Sequence, residues 1–222
     1  MKRVILLLLV FLLCLAPCMA EEQNTEVPAQ TITLIVNGTE VPVIWEDNLA
    51  TQQLRGLLPL TIPMTRFGGL QQVGYLEQKL QGGDIQTDAE PGDIILFEDR
   101  WIMLFYGYHS GKYTRLGHIP TDLTEEDEKE IEETKEKTAD QLEEELKKET
   151  AKEFREIEKE TEKQMEAIQA SSLEEAEKQE QTEELKAQEK EKKIETLIKL
   201  KKIWKMKELL GGNVTITISA GE

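Results

Sequence analysis

Hydrophobic and polar positions divide the chain into a strand-rich region, residues 31–121, and a long charged region that follows it. The first region begins with apolar runs at 31–36 and 41–45, on either side of Asn37-Gly38. Two apolar runs flanking Asn-Gly predict a β-hairpin. Further runs predict strands at 60–64, 73–76, 94–97, 101–106 and 113–119, and residues 78–90 are predicted to be loop.

One short helix is predicted within this region. Asp47-Asn48 offers an N-cap, residues 49–58 carry apolar side chains at helical spacing, and Pro59 ends the segment. The runs 94–97 and 101–106 are apolar on both faces, which indicates central strands. Short strands at this spacing with one covering helix predict a mainly β closed barrel with capping helices.

The charged region is predicted to be helical, because residues 121–210 contain no Gly or Pro. Thr124 with Asp127 three residues later is a capping pattern, and the acids of the first turn complement the helix dipole. The apolar or small residues that follow form a sparse seam with gaps of mostly three or four residues or their sums: Ile131, Thr138, Leu142, Leu146, Phe154, Ile157, Met165 and Ile168.

Ser171-Ser172 interrupts the helical pattern, and a second helical stretch grows more apolar toward Leu210. That end is predicted to dock on the barrel, with Gly211-Gly212 closing the helix before a last strand at 213–219. A single straight helix over 125–210 would run ~130 Å and carry this strand far from its barrel. Folding back near Ser171 gives arms of roughly 69 and 57 Å. We therefore expect an antiparallel helical hairpin or coiled coil, the alternative being a strand-swapped homodimer.

The first 20 residues have the form of a secretory signal. A basic start precedes an apolar run over 4–16, and Cys18-Met19-Ala20 places small residues before a cut at Glu21. An uncleaved anchor and a lipid-modified Cys18 remain alternatives. The prediction is an exported protein, periplasmic, cell-surface or secreted. Its mature chain has no thiol, because Cys14 and Cys18 are the only cysteines.

The net charge of −17 disfavours nucleic acid and anionic membrane surfaces as partners. Most of the charge lies between residues 122 and 210, which hold 30 acidic and 19 basic residues. The stretch 191–207 is locally basic. This asymmetry suits two antiparallel helices of complementary charge, and a solvated helix face explains it equally well.

Five short motifs, in order, resemble the prokaryotic cyclophilin-like family. They are DNLAT at 47–51, LLPL at 57–60, PGDIIL at 91–96, LFY at 104–106 and YTRLGHI at 113–119. Family members usually read D-N-x-T-A, L-L-P-L, A-G-D, F-Y and Y-T-R-L/I-G-K/R-I. The resemblance covers about 31–121 and 205–220, and it implies a closed barrel capped by helices, with the charged region as an insertion.

The resemblance implies a fold more than an activity. Enzymatic cyclophilins isomerise X-Pro bonds with an F-H-R-type strand, and no F-x-R strand exists here. Residues 81–84 read Q-G-G-D as in true cyclophilins, but the F-x-R strand that precedes this sequence in the enzymes is missing, and we treat the match as coincidence. Isomerase activity is therefore not expected from the resemblance.

Arg115 is the strongest candidate ligand-binding residue, because it alone among the barrel arginines lies in an aromatic-flanked strand that matches a family motif. Strand alternation places Arg115 with Gly117 and Ile119 on one face and His118 on the other. The functional interpretation is an anchor for a ligand carboxylate or carbonyl. The structural one is an ion pair with Asp47 or Asp93. The side chains that could form a pocket with Arg115, or else belong to the core, are Met64, Tyr75, Phe105, Tyr106 and Tyr113.

No catalytic residue, cofactor or metal site is predicted. The chain has only two histidines, His109 and His118, and both are expected at the surface. Two function classes remain. The first is a non-catalytic module that binds a protein or peptide, with the helical arm contacting a partner or a second copy through its seam over 142–168. The second is an extracytoplasmic prolyl isomerase or holdase-like chaperone. The predicted boundaries are 1–20 signal, 21–30 leader, 31–121 barrel, 122–204 helical insertion, and 205–220 closing helix and strand.

Overall fold

The computed structural model describes residues 31–144 and 148–221, with the side chains of 143 and 144 excepted. The predictions of a signal segment and a leader, and the seam position Leu146, lie outside these residues. The described chain contains ten strands: β1 (Ile32–Val36), β2 (Thr39–Val41), β3 (Ile44–Trp45), β4 (Leu60–Phe67), β5 (Gln71–Tyr75), β6 (Ile85–Ala89), β7 (Asp93–Phe97), β8 (Trp101–Phe105), β9 (His109–His118) and β10 (Val214–Ala220).

These strands form one curled antiparallel sheet in the order β2-β1-β10-β4-β5-β8-β7-β9-β3, with β6 paired to β9 beside this path. The two ends of the path, β2 and β3, are separated in the chain only by Pro42 and Val43. Across the gap between these two ends, the indole nitrogen of Trp45 donates to the carbonyl oxygen of Ile32 at 2.8 Å. The predicted mainly β barrel with helices is confirmed, although strand pairing does not run across the gap between β2 and β3.

Two apolar clusters explain why β7 and β8 are apolar on both faces. Ile94 and Leu96 face the main core inside the barrel, where α1 (Leu49–Arg55) contributes Leu54. Ile95 points to the outer face and packs with Phe105 and other side chains under a ribbon made by β6 and the first half of β9. The two central strands are therefore covered on both sides.

The prediction of loop over residues 78–90 is wrong for 85–89, which form β6. The hydrophobic pattern does not indicate this strand, because its sequence, Ile-Gln-Thr-Asp-Ala, has no apolar run, and an edge strand needs none. β6 pairs with residues 109–113, so β9 also begins four residues earlier than predicted.

The helical region contains four described helices: α2 (Glu125–Thr134), α3 (Ala139–Glu144), α4 (Lys148–Ala170) and α5 (Glu175–Leu210). The continuous outbound helix predicted before Ser171 is wrong, since the helix stops at Thr134. A capping box then starts α3, where Thr138 and Gln141 exchange hydrogen bonds of 2.8 and 3.4 Å between backbone and side chain. The fold-back near Ser171 is found between α4 and α5.

The base of the arm is a packed cluster of all four helices. Contacts between Ala139 and Glu158, and between Asp140 and Arg155, place α3 beside the first half of α4. α2 lies beside the C-terminal part of α5, where Lys201 pairs with Asp127 at 3.2 Å. The side chains that fill the cluster are Ile131, Ala139, Leu142, Ala151, Phe154 and Leu197.

The outer part of the arm is two helices, the second half of α4 beside the first half of α5. Lys193 marks the start of this part, buried between the carboxylates of Glu158 and Glu189 at 2.9 Å each. These hydrogen bonds raise the pKa of Lys193 against the lowering effect of burial, and the ammonium lies 5.0 Å from the ring centre of Phe154. At 1.5 Å per residue, α5 is about 54 Å long. A coiled coil in this part stays a prediction.

The arm is anchored in the barrel at the end of α5. Met206 and Leu210 belong to the main barrel core, which confirms the predicted docking of this end. The amide nitrogen of buried Gln72 on β5 caps the helix by donating to the carbonyl oxygen of Leu210 at 2.8 Å. β10 then lies between β1 and β4 of the same chain. No helix among the described residues is long and apolar enough to cross a membrane.

The capping box that starts α2 predicts a pH dependence. Hydrogen bonds from the backbone and side chain of Thr124, assisted by Lys201, lower the pKa of Asp127 from 3.8 to about 2. The ionised carboxylate therefore stabilises the fold above pH 4, and this stabilisation is lost as the pH falls toward 2. We expect Asp127→Asn to cost about 1 kcal/mol at pH 6. The cost should shrink between pH 4 and 2 in urea titrations, whereas a cost independent of pH would contradict the assignment.

Candidate functional site

A cavity of about 680 Å³ forms an external cleft beside β9. β3 pairs with residues 117 and 118 of this strand, and β6 pairs with residues 109–113, which leaves residues 114–116 between them. The N-terminal end of α1 lies over this break. The cleft is lined by Glu46, residues 48–50, residues 81–83, residues 85–88 and residues 113–115.

Asn48 fixes α1 to the break in the sheet. Its side-chain oxygen accepts from the backbone nitrogen of Thr51 at 3.0 Å, which is the N-cap interaction. Its amide nitrogen donates to the carbonyl oxygen of Arg115 at 2.8 Å. Asn48 therefore has two functions, to start α1 and to hold it against β9.

Arg115 lies in the cleft and is bound to an acid beneath it. Its Nη2 donates to Oδ2 of Asp93 at 2.8 Å and to the carbonyl oxygen of Asp88 at 3.3 Å, while Nε is buried without a hydrogen-bond partner in the described part of the chain. The side chain of Asp93 is only 1% exposed. Of the two ion-pair partners considered from sequence, Asp93 is the one found, and Asp47 instead accepts from Gln52.

His118 binds the other oxygen of the same carboxylate, with Nδ1 and Oδ1 2.8 Å apart. Strand alternation predicted that Arg115 and His118 face opposite sides, and this is wrong. The pairing of β7 with β9 passes from Ile94–Gly117 to Ile95–Arg115, so Leu116 is an extra residue. Such a bulge shifts the alternation by one position, and both side chains reach Asp93.

The side of the cleft next to Thr114, its lower side, is closed by the loop at 81–84. Gly83 donates its backbone N–H to the hydroxyl oxygen of Thr114 at 2.9 Å, and this hydroxyl donates to Asp84 at 2.6 Å. Gln81 and Gln53 exchange two hydrogen bonds, which tie the loop to α1. The first three residues of the Q-G-G-D stretch thus line the cleft.

Among the aromatic residues predicted around Arg115, Tyr113 lines the cleft and Phe105 packs against it with ring centres 5.8 Å apart. The hydroxyl of Tyr113 lies 2.7 Å from Nδ1 of His109, and burial raises the pKa of this phenol. The ring is therefore neutral at physiological pH. Phe105 is fully buried and serves the outer apolar cluster.

The other predicted pocket residues lie elsewhere. Tyr75 lies across the barrel in edge contact with Trp101, at a second cavity of about 670 Å³ between β4 and β5. Tyr106 is buried beside the end of α5, and Met64 packs its sulfur toward Gly74. The five side chains and Arg115 therefore do not form a single pocket, because Met64 on β4, Tyr75 on β5 and Tyr106 line or contact other parts of the barrel.

Glu90, Asp93 and His118 place one potential metal-ligand atom each within 4.8 Å of one another. Both oxygens of Asp93 are occupied, Oδ1 by His118 and Oδ2 by Arg115 and the backbone nitrogen of Glu90 at 3.1 Å. The Arg115 guanidinium also opposes a cation at this position. The arrangement is suited to a structural ion pair that holds the start of β7 against β9.

The chain forms a small barrel domain, a curled antiparallel sheet with a short helix over one end. Its candidate binding site is the external cleft where neither β6 nor β3 pairs with β9. Residues 34–143, from β1 into α3, match the cyclophilin-like family, so the chain contains a cyclophilin-like domain. Comparison with curated proteins and with solved structures finds no match for the chain.

Proposed function

We propose that the cyclophilin-like domain is a non-catalytic module that binds a protein or peptide segment in the cleft between α1 and β6. The observation that carries the proposal is the cavity of about 680 Å³ at the break in the sheet. Two aliphatic side chains that line it are exposed, Leu49 of α1 at 52% and Ile85 of β6 at 68%. Exposed large apolar side chains in a cleft of this volume are typical of a binding site.

The backbone of β6 supports the same proposal. This strand pairs with β9 alone, so its other edge carries backbone groups without a strand partner among the described residues. An unpaired strand edge is the part of a sheet to which an extended peptide can add. The edge borders the cleft along residues 85–88, over roughly 14 Å at 3.4 Å per residue.

The surroundings of Arg115 favour binding over catalysis. A guanidinium that weakens an X-Pro amide must direct its donors at the substrate. Here Asp93 and the backbone carbonyl of Asp88 hold Nη2, and Nε is buried, so of the three guanidinium nitrogens Nη1 alone is left to face a substrate. Exchange NMR on a short Ala-Pro peptide distinguishes the two classes. We expect no acceleration of cis–trans exchange by the full chain, and an acceleration that Arg115→Ala abolishes would establish the isomerase instead.

Gly83→Trp tests the cleft directly. A Cβ added at Gly83 meets no atom within 4 Å, so the backbone at this position accepts a side chain, and an indole there would occupy the cleft that Gly83 lines. Heptapeptides would be selected from a random phage-displayed library on the wild-type chain, and their affinities measured by calorimetry. We expect Gly83→Trp to weaken binding at least tenfold, about 1.4 kcal/mol. Thr39→Trp, on the exposed strand β2, is the control and should leave it unchanged. Failure to select any peptide, or equal binding by both variants, would contradict the proposal.

The arm is the second part of the proposed interaction module, through its outer half. The seam predicted to contact a partner is partly used inside the chain, since Leu142 and Phe154 are fully buried in the base cluster. A partner of the arm must therefore contact the outer half of α4 and the facing half of α5. Deleting residues 165–181 and co-purifying the partner of the wild-type chain would test this role.

A further inference from the structure

The carboxylates around the cleft carry negative charge that the cleft itself does not compensate. Glu46 and Asp88 line it, and Asp84 lies at its lower side beside Thr114. The hydrogen-bond partner of Asp88 is the hydroxyl of Ser110, and that of Asp84 is the hydroxyl of Thr114. Both donors are neutral hydroxyls, so neither of these hydrogen bonds pairs the carboxylate with a cation.

Among the described residues, Arg115 is the one cation that lines the cleft, and it does not offset these acids. Arg115 is neutralised by Asp93, which lies directly beneath it at 2.8 Å. Lys112 precedes Tyr113 on β9 and lies opposite Gln86 in the β6–β9 pairing. It is not among the residues that line the cavity. The cleft is therefore an acidic binding surface, and the sequence-based idea that Arg115 anchors a ligand carboxylate loses its electrostatic basis.

We propose that the occupant of the cleft is an extended, basic peptide that pairs with the free edge of β6. This inference rests on the proposed binding function and adds the conformation and charge of the ligand. In an extended peptide, side chains alternate between the two faces at a period of two. Apolar residues on one face of the peptide would contact Leu49 and Ile85. Lysine or arginine residues on the other face would approach the carboxylates of Glu46 and Asp88.

The charge pattern of the partner follows from complementarity, because opposite charges across an interface select partners and speed association, whereas like charges exclude them. Acidic peptides are disfavoured at this site for the same reason. A helical ligand is also disfavoured, since it offers no unpaired backbone groups to the edge of β6.

The test is a library selection on three proteins: the wild-type chain, Asp88→Lys and Glu40→Lys. Glu40 is an exposed acid on β2, so its replacement makes the same change in net charge away from the cleft. Peptides selected on the wild type should be enriched in lysine and arginine at positions two apart. This enrichment should persist with Glu40→Lys and disappear with Asp88→Lys. Glu46→Lys provides a second variant that changes the same surface.

Affinity measurements complete the test. In the most enriched peptide, each basic residue is replaced by glutamine and by glutamate. We expect the glutamate version to bind at least tenfold more weakly, and the difference to shrink as salt is raised. Selected peptides that bind in the cleft without a basic preference would overturn this inference and leave the proposed function intact. If no peptide can be selected, the proposed function fails, and this inference fails with it.

Discussion

Asp93→Ala is expected to lower the free energy of unfolding by about 3 kcal/mol, among the largest effects of a single substitution in the barrel. The carboxylate is 1% exposed and accepts from Arg115 and the backbone of Glu90, besides pairing with His118. Its removal leaves the guanidinium of Arg115 without its acid and a void between β7 and β9. Partial exposure of Arg115 keeps the expected cost at the lower end of the range for broken buried pairs.

The control for this substitution is Asp84→Ala. Asp84 is exposed and accepts from one hydroxyl, that of Thr114, so its loss should cost under about 1 kcal/mol. Asp93→Asn, which retains an acceptor oxygen, should fall between the two. Urea titrations of the full chain measure all three. Equal stability of Asp93→Ala and Asp84→Ala would show that the Asp93 cluster does not hold β7 against β9.

Phe154→Ala is expected to destabilise the base of the arm by about 3–5 kcal/mol. The ring is fully buried among α2, α3, α4 and α5, and it also lies against the ammonium of Lys193. Amide hydrogen exchange should therefore become faster across these helices. The central strands β7 and β8 should keep their protection, because their core is separate from this cluster.

Phe67→Ala is the matched control, since the same side chain is removed from a site where it is 65% exposed. We expect a change within about 0.5 kcal/mol. If both alanine variants lose the same stability, the four-helix base is not a packed unit. If exchange accelerates evenly in the barrel, the arm and barrel unfold together.

Strong local signals in the sequence predicted much of the fold. Asn37-Gly38 marked the hairpin of β1 and β2, Thr124 with Asp127 marked the start of α2, and Ser171-Ser172 marked the fold-back of the arm. The ordered motifs marked the family. The break after Thr134 carried a signal of its own, the Thr138 and Gln141 capping box, but the uninterrupted run of helix formers around it concealed the break.

The candidate site was predicted less well, for two physical reasons. β6 is a polar edge strand, so no hydrophobic period reveals it, although it forms one side of the cleft. The extra residue Leu116 shifts the phase of β9, and alternation alone therefore placed Arg115 and His118 on opposite faces. Register depends on the pairing of β7 with β9, which a single strand's sequence does not encode.

The central proposal is that a peptide binds in the cleft between α1 and β6. Amide hydrogen exchange on the complex tests this directly. The wild-type chain would be saturated with its selected peptide and compared with the free chain, residue by residue. We predict slower exchange at the backbone amides of 85–88 that face the free edge of β6, with the arm unchanged. Slower exchange confined to the arm or to the cavity between β4 and β5, with β6 unaffected, would contradict the account.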